Sequence, residues 1–377
     1  MRAGWKTMKL DDACFVEYGT RVVRKKDGGT IYPVYGGGGA TFRMNTYNRE
    51  NCLVVARFAM SQTCTRFVQG KFFLNDSGLT LRAKDKDLSQ VFLDWIITSK
   101  NDLIYSFGKG SAQKNLDMED FRNMEISFPI SLAEQQRIVD ILGQEFARID
   151  ALKANAEKSL QAAKDLFQAT LKKELEPKEG WTYLRLNDIY NFIDYRGATP
   201  TKLTEGIPLI TAKNIKMGYL DYSIRDFISP EEYEHRQSRG VSHRGDILFT
   251  TEAPLGNIAI ADKDVFSAGQ RVITFQPYPN STKQLNNRFY LYYFLSPRFQ
   301  ETLKEQATGA TAQGIKASRL KEIKVPLVDI RVQNSKTERL DELNEKCSTL
   351  QDNYQKTLSL CDDLKQALLR KAFNGEL

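Results

Sequence analysis

Two stretches of the chain carry the residue spacing of long helices. Over residues 132–175 no proline intervenes and Ala, Leu, Lys, Glu and Gln dominate, with Pro177 and Gly180 following as stops. Seven-residue spacing places Leu142, Ile149, Ala156, Ala163 and Thr170 on one row, and Ile138, Glu145, Leu152, Ser159 and Leu166 on a second. A run of about 40 residues makes a helix of roughly 60 Å. From Ile330 the pattern returns, with Leu340, Cys347, Tyr354, Cys361 and Leu368 beside Leu343, Leu350, Thr357 and Leu364. An apolar stripe must be buried, so the two helices are predicted to pack on each other and to act as rigid spacers. A coiled coil between two copies of the chain is the alternative.

The segments outside the helices are strand-like, and they begin and end alike. Gly4-Trp5 opens a stretch that runs to KLDDACF (9–15), and Gly180-Trp181 opens one containing RLNDIYNF (185–192). Trp5, Leu10 and Asp12 match Trp181, Leu186 and Asp188 at one common offset. At the other end GSAQKNL (110–116), an apolar run to Phe128-Pro129 and a long helix match GATAQGI (309–315), a run to Val325-Pro326 and the second helix. The expectation is a mixed α/β protein with an internal pseudo-two-fold repeat. Its parts read as a globular domain (1–130), a spacer helix (131–175), a second globular domain (176–328) and a second spacer helix (329–377).

At 377 residues the chain is long enough for two cores. Its 41% hydrophobic and 27% charged residues, with a mean hydropathy of -0.46, describe a soluble globular protein. No signal segment or run of about 18 apolar residues is present, so the expected location is the cytoplasm, without membrane contact. The net charge of +7, from 54 basic against 47 acidic residues, favours nucleic acid only weakly; binding to a polyanion must come from local clusters. Five cysteines with no CxxC pair argue against a disulfide framework and a zinc finger, and read as buried or seam-facing thiols.

With the repeat in place, the chain resembles the specificity subunit of Type I restriction-modification systems over essentially its whole length. FPISLAEQQRIVDIL (128–142) opens the first long helix and LLRKAFNGEL (368–377) closes the second. The resemblance implies two target-recognition domains, each reading one half of an interrupted site in double-stranded DNA. It also implies that the long helices form an antiparallel coiled coil, which fixes the spacing and docks two methyltransferase subunits and further restriction-translocase subunits. The docking candidates it gives are Glu134, Gln135, Gln136, Arg137, Gln333, Arg370 and Phe373. The second copy of the docking motif, VPLVDIRVQNSKTERL (325–340), departs from AEQQRI, although Gln333 still matches Gln135.

DNA readers present hydroxyls, amides, Arg and Lys on rigid supports. In the second domain YRGATPTK (195–202) and PLITAKNIKMG (208–218) supply Arg196, Thr199, Lys202, Lys213 and Asn214, and the resemblance adds Gln270 and Arg271, in a loop entering a strand. GDILFTTEAPLGNIAIAD (245–262) reads as two strands about a Gly/Pro bend, which the resemblance places near DNA and the apolar residues Ile247, Leu248, Phe249, Ile258 and Ile260 place in the core architecture. The repeated glycine-marked turn gives Lys109, Ser111, Gln113 and Lys114 in the first domain, and Thr308, Thr311, Gln313 and Lys316 in the second. The glycines at 36–39 lack a following GK[ST], so they are expected to end a strand in a DNA-facing loop with Arg43 and Asn45, not to hold a nucleotide. Arg57, Arg66 and Lys71 stand among alternating apolar residues; the two arginines are candidates for guanine edges, and the alternative for each of the three is a surface charge.

Catalysis is not expected of this chain. It has no PP pair of the kind an adenine methyltransferase motif needs, and no nucleophile motif accompanies His235 or His243. AdoMet, ATP and Mg are expected on partner subunits, with no cofactor or metal on this chain. The alternative function is a structural coiled-coil adaptor whose globular halves bind proteins.

Overall fold

The computed structural model describes residues 4–197, 199–309 and 313–377. The chain divides into two compact units, Met1–Glu157 with Lys356–Leu377, and Lys158–Gln355. The division runs through both long helices, so each unit contains one globular body and a segment of each helix.

In the first unit a six-stranded sheet has the order Cys14–Tyr18, Gly78–Ala83, Arg49–Ala56, Thr65–Leu74, Tyr32–Tyr35, Arg43–Met44. Pairing is antiparallel except between Tyr32–Tyr35 and Thr65–Leu74. The last four residues of Arg49–Ala56, Leu53 to Ala56, are all buried, which is why this apolar run takes a central position. Strand Trp5–Lys9 pairs antiparallel with Glu125–Pro129, the strand that leads into the central helix. Helix Gln90–Ser99 is capped by Ser89, whose hydroxyl accepts the Phe92 N–H. Phe92, Leu93, Ile96, Phe121 and Phe128 form the core with Ile138 and Leu142 of the central helix and Leu369 and Ala372 of the C-terminal helix.

The second unit repeats the plan. An antiparallel sheet has the order Tyr190–Asp194, Val272–Pro277, Ile247–Thr250, Ile258–Ile260, beside a three-stranded sheet of Asp226–Ile228, Ile207–Ile210 and Ser267–Ala268. All four residues of Ile247–Thr250 are buried, and the 245–262 segment forms two strands about a bend as its sequence predicts. Asn286 caps helix Asn287–Leu295 through its side-chain oxygen. That helix is buried along most of its length, its aromatic residues sharing one core with Tyr190, Phe249 and Phe275 of the sheet and Leu171, Leu175 and Leu340 of the long helices.

The central helix spans Leu132–Glu174 and the C-terminal helix Ile330–Phe373. In the first unit they run antiparallel, joined by Lys153–Asp362 at 2.7 Å and by Lys365–Asp150. In the second, Glu174 meets Lys336 at 3.0 Å and Arg339 at 3.1 Å. The two-row seam read from the sequence needs correction. Leu142, Ile149, Ala156 and Ala163 are buried, whereas Leu152 and Leu166 are half exposed, as are Leu350 and Leu364 of the C-terminal helix. The buried row also steps by eight residues, from Ala163 to Leu171 and from Cys361 to Leu369. A helix of 3.6 residues per turn drifts from a strict seven-residue repeat, so the row from Leu142 to Ala163 keeps the contact, while the second row is buried at Ile138 and turns outward at Leu152 and Leu166.

Candidate nucleic-acid interface

In the first unit strand Arg49–Ala56 ends in a bend at Arg57, Phe58 and Ala59. The N–H groups of Arg57 and Phe58 donate to the Ser77 carbonyl at 2.8 and 3.3 Å. The Arg57 carbonyl accepts from Leu116 at 2.8 Å, and Met60 donates to Lys114 at 2.9 Å, so the repeated glycine-marked turn is stitched to the bend. Ala59 sits in the left-handed region at φ 50°, which the reversal requires. The glycine run packs against the same place: a Cβ on Gly36 would lie 2.2 Å from Ser77 Oγ, and one on Gly37 2.4 Å from the Phe58 carbonyl. Close backbone approach, not anion binding, explains those two glycines. The Arg57 guanidinium lies 4.8 Å from the Tyr18 ring centre and 4.6 Å from that of Phe58.

The second unit builds the same bend from different residues. Strand Ile247–Thr250 ends at Thr251, Glu252 and Ala253, with Ala253 at φ 45°. Thr251 donates to the Arg271 carbonyl at 3.0 Å and accepts from Ile315 at 3.0 Å. Thr251 therefore takes the place of Arg57, Glu252 that of Phe58, and Arg271 that of Ser77. Beside the bend a cleft of about 260 Å³ is lined by Thr199, Lys202, Lys213, Gln270 and Arg271, all singled out from the sequence. Thr199 donates to Gln270 at 2.6 Å, and Arg271 Nε meets Glu252 at 3.0 Å.

The family described as Type I restriction modification DNA specificity domain matches residues 2–162 and 178–359, nearly the whole chain and once per repeat. The chain belongs to that family. It is 23% identical over 297 residues to the Type I restriction enzyme MjaVIII specificity subunit of Methanocaldococcus jannaschii, covering 74% of this chain and 69% of that protein. It is 26% identical over 292 residues to the EcoBI specificity subunit of Escherichia coli, covering 70% of this chain and 60% of the relative. A chain from a solved type I R-M system, studied for complex assembly and conformational transition, matches with a TM-score of 0.78 at 19% identity over 100% of this chain and 99% of that one. That likeness is one of fold. The mixed α/β architecture with two domains and long helices is the family's.

Within this specificity-domain fold the remaining candidates fall into distinct settings. Arg43 donates to the Ile31 carbonyl at 2.5 Å, and Asn45 accepts from Thr30 at 3.1 Å. Arg66 donates to the Gly38 carbonyl, and Lys71 lies 4.5 Å from the Tyr47 ring centre. Lys109 pairs with Asp117 at 2.5 Å, Lys114 sits over Tyr105 at 4.2 Å, and Ser111 and Gln113 are exposed beside them. Arg196 is gripped by Asp194 through Nε at 2.9 Å and Nη2 at 2.5 Å; burial raises the Asp194 carboxyl, but the bonds from Arg196 outweigh it and hold it low. Lys202 pairs with Asp226 at 2.5 Å. Thr308, Gln313 and Lys316 are exposed, while Thr311 lies outside the described residues.

The structure removes three candidates from the surface. Asn214 is buried: its Oδ1 accepts from Thr211 N–H at 2.9 Å, and its Nδ2 donates to the Asp221 and Ile224 carbonyls at 3.0 and 2.8 Å. A side chain spent on closing its own loop has nothing left for a base. Gln135 and Gln333 are fully buried too, each hydrogen-bonded to three backbone groups of its own domain, so neither presents a docking contact. Phe373 turns inward, 5.5 Å from Phe92. Glu134, Gln136, Arg137 and Arg370 lie along the outer sides of the helices; Arg137 bonds Glu134 at 2.8 Å and the Leu377 carbonyl at 2.9 Å, and Gln136 bonds Asp140 at 2.8 Å.

Glu252, Phe58 and Tyr18 were not legible as site residues. Glu252 and Tyr18 acquire their roles by strand pairing that brings distant residues together, whereas Phe58 follows Arg57 directly in the chain, where a ring carries no hydrogen-bonding signal of its own. Arg236 was missed as well; it is buried, bonds Ser267 at 3.0 Å and the Ala268 carbonyl at 2.7 Å, and ties helix Pro230–Gln237 to the sheet.

Proposed function

We infer that this chain is the DNA sequence-specificity subunit of a Type I restriction-modification complex, each globular domain reading one half of an interrupted duplex site. The observation that carries this reading is the bend built twice, once per domain, with basic and amide side chains gathered beside it. Two rigid readers joined by helices suit two patches of duplex held at a set separation. The chain itself is non-catalytic in this reading. Methyltransferase subunits bring AdoMet and modify adenine N6, and restriction-translocase subunits bring ATP and Mg. Leu152 and Leu364 in the first unit, and Leu166 and Leu350 in the second, are half-exposed leucines of the helix segments that gain from being covered by such partners.

The test is methylation mapping of DNA from cells that carry the chain and its methyltransferase partner, against cells lacking only this chain. Loss of one interrupted adenine-methylated motif is the expected result. An unchanged methylation pattern with the partner active overturns the reading in favour of a protein-binding adaptor.

A further inference from the structure

The bend shared by the two domains carries one arginine in each, and the two are held by unlike chemistry. In the first domain Arg57 is on the bend itself, with its guanidinium against the Tyr18 and Phe58 rings. No carboxylate pairs with it among the described residues. An arginine whose guanidinium lies against aromatic rings, with no carboxylate to bind it, keeps its N–H groups for another acceptor. In the second domain Thr251 replaces Arg57, and the arginine comes from the neighbouring strand at the place of Ser77. Arg271 touches Glu252 through Nε, and both side chains are half exposed. That contact fixes the plane of the guanidinium while leaving its two terminal nitrogens as a fork.

The other arginines near these bends are differently occupied. Arg66 is turned onto the Gly38 carbonyl and Arg43 onto that of Ile31. Arg196 gives both Nε and Nη2 to Asp194, which consumes the side of the fork a base would need. Arg57 and Arg271 alone combine a rigid bend, an orienting neighbour and terminal nitrogens without a hydrogen bond to the protein among the described residues.

We propose that Arg57 and Arg271 are the guanine-reading side chains of the two domains, with Tyr18 and Phe58 positioning the first and Glu252 the second. The proposal rests on the specificity reading above and deepens it. Each terminal fork matches the O6 and N7 acceptors of guanine in the major groove. The buttresses differ in what they do to unrelated DNA: the rings are neutral, whereas Glu252 repels phosphate and so favours the duplex whose guanine rewards the fork.

The experiment uses the full chain reconstituted with its methyltransferase partner. Initial methylation rates are measured on duplexes in which each base pair of the mapped motif is replaced in turn. Arg271→Ala and Arg271→Lys are expected to lower discrimination at one G·C pair of one half-site by roughly 10- to 100-fold, leaving the other half-site's discrimination intact. Arg57→Ala and Arg57→Lys do the same in the opposite half-site. The lysine variants keep the charge and lose the fork, so they decide the matter should an alanine variant fold poorly. Glu252→Gln is expected to lower discrimination at the Arg271 pair while raising affinity for unrelated duplex, a combination that simple structural damage does not produce. Unchanged discrimination at every base pair in both lysine variants, or an equal loss across both half-sites, overturns the assignment while the specificity reading stands. A wild-type complex with no preferred duplex overturns both.

Discussion

Gln135, in the first turns of the central helix, accepts the backbone N–H of Ser89 at 2.9 Å, and Ser89 caps helix Gln90–Ser99. Gln135 also donates to the Asp87 and Pro129 carbonyls at 2.5 and 2.7 Å. The second repeat contains the same clamp: Gln333 accepts from Asn286, the cap of Asn287–Leu295, at 2.8 Å and donates to Gln284 and Val328 at 3.0 and 2.9 Å. One glutamine thus locks a long helix to a globular domain in each repeat. Replacing either by Leu strands buried backbone groups, at about 1–3 kcal/mol per unsatisfied group. Gln135→Leu and Gln333→Leu are each expected to lower unfolding free energy by about 3 kcal/mol in denaturant titration; a loss below about 0.5 kcal/mol would contradict the clamp.

Lys336 and Glu174 form the most enclosed ion pair of the helix segments in the second unit, their side chains only 10% and 13% exposed. Lys336 also donates to the Glu174 carbonyl at 2.5 Å, near the end of the central helix. Removing one partner of such a pair leaves an enclosed charge, so Lys336→Met is expected to cost about 3–5 kcal/mol. Asp362→Asn, which breaks the exposed pair with Lys153, costs less than about 1 kcal/mol. Parallel chemical denaturation of the two variants checks the contrast.

Acid sensitivity follows from the same pair. Burial raises the Glu174 carboxyl, but the hydrogen bond and charge of Lys336, with Arg339 and Lys178, outweigh it and hold it below the usual glutamate range. A depressed folded-state value gives stability that is present above the unfolded value and lost as pH falls through the folded one. The wild type is expected to lose stability on acidification below about pH 4.5 more steeply than Glu174→Gln. Thermal unfolding between pH 3 and 7 measures the difference, and parallel curves would refute it.

Asp94 shifts in the opposite sense. Burial beside Phe67, Trp95 and Phe146, partly offset by the Gln90 amide, pushes its carboxyl up to about 6. For a raised carboxyl the favourable, protonated form is fully present below the unfolded value, and its contribution is lost as pH rises through about 6. Asp94→Asn is expected to melt higher than the wild type at pH 7.5, the gap closing near pH 4. A constant gap across that range would show that the site does not titrate there.

Lys213 is exposed in the cleft beside the second bend and has no carboxylate partner among the described residues, whereas Lys202 is paired with Asp226. A phosphate contact made by Lys213 releases about one counterion. Lys213→Ala in the reconstituted complex is expected to reduce the slope of log affinity against log salt by about one, and Lys202→Ala by less. Fluorescence anisotropy with duplex at several salt concentrations measures both slopes.

The duplication and the long helices were legible because they rest on local patterns. Trp5, Leu10 and Asp12 recur as Trp181, Leu186 and Asp188, and Pro177 with Gly180 marks a stop close to the last helical residue, Glu174. The seam was half legible: the row through Ala156 and Ala163 is buried, and the row through Leu152 and Leu166 is buried only at its start, Ile138. A heptad count assigns both rows equally, and only the approach of the partner helix chooses between them. Thr199, Lys202, Lys213, Gln270 and Arg271 carried the polar chemistry expected of a DNA reader, and the fold gathers them around one cleft. Asn214, Gln135 and Gln333 carried equally suitable side chains that the fold consumes inside.

By itself the sequence determined the periodic and the repeated: helix length from unbroken spacing, and domain number from recurrence. Tertiary structure alone decided which polar groups remain for a ligand. Glu252 and Arg271 are far apart along the chain and meet because strands Ile247–Thr250 and Val272–Pro277 pair, while Arg57 meets Tyr18 through the sheet of the first unit. Backbone hydrogen bonding across strands brings such side chains together, and a side chain's own identity does not say whether its neighbour will be a base, a carboxylate or a ring.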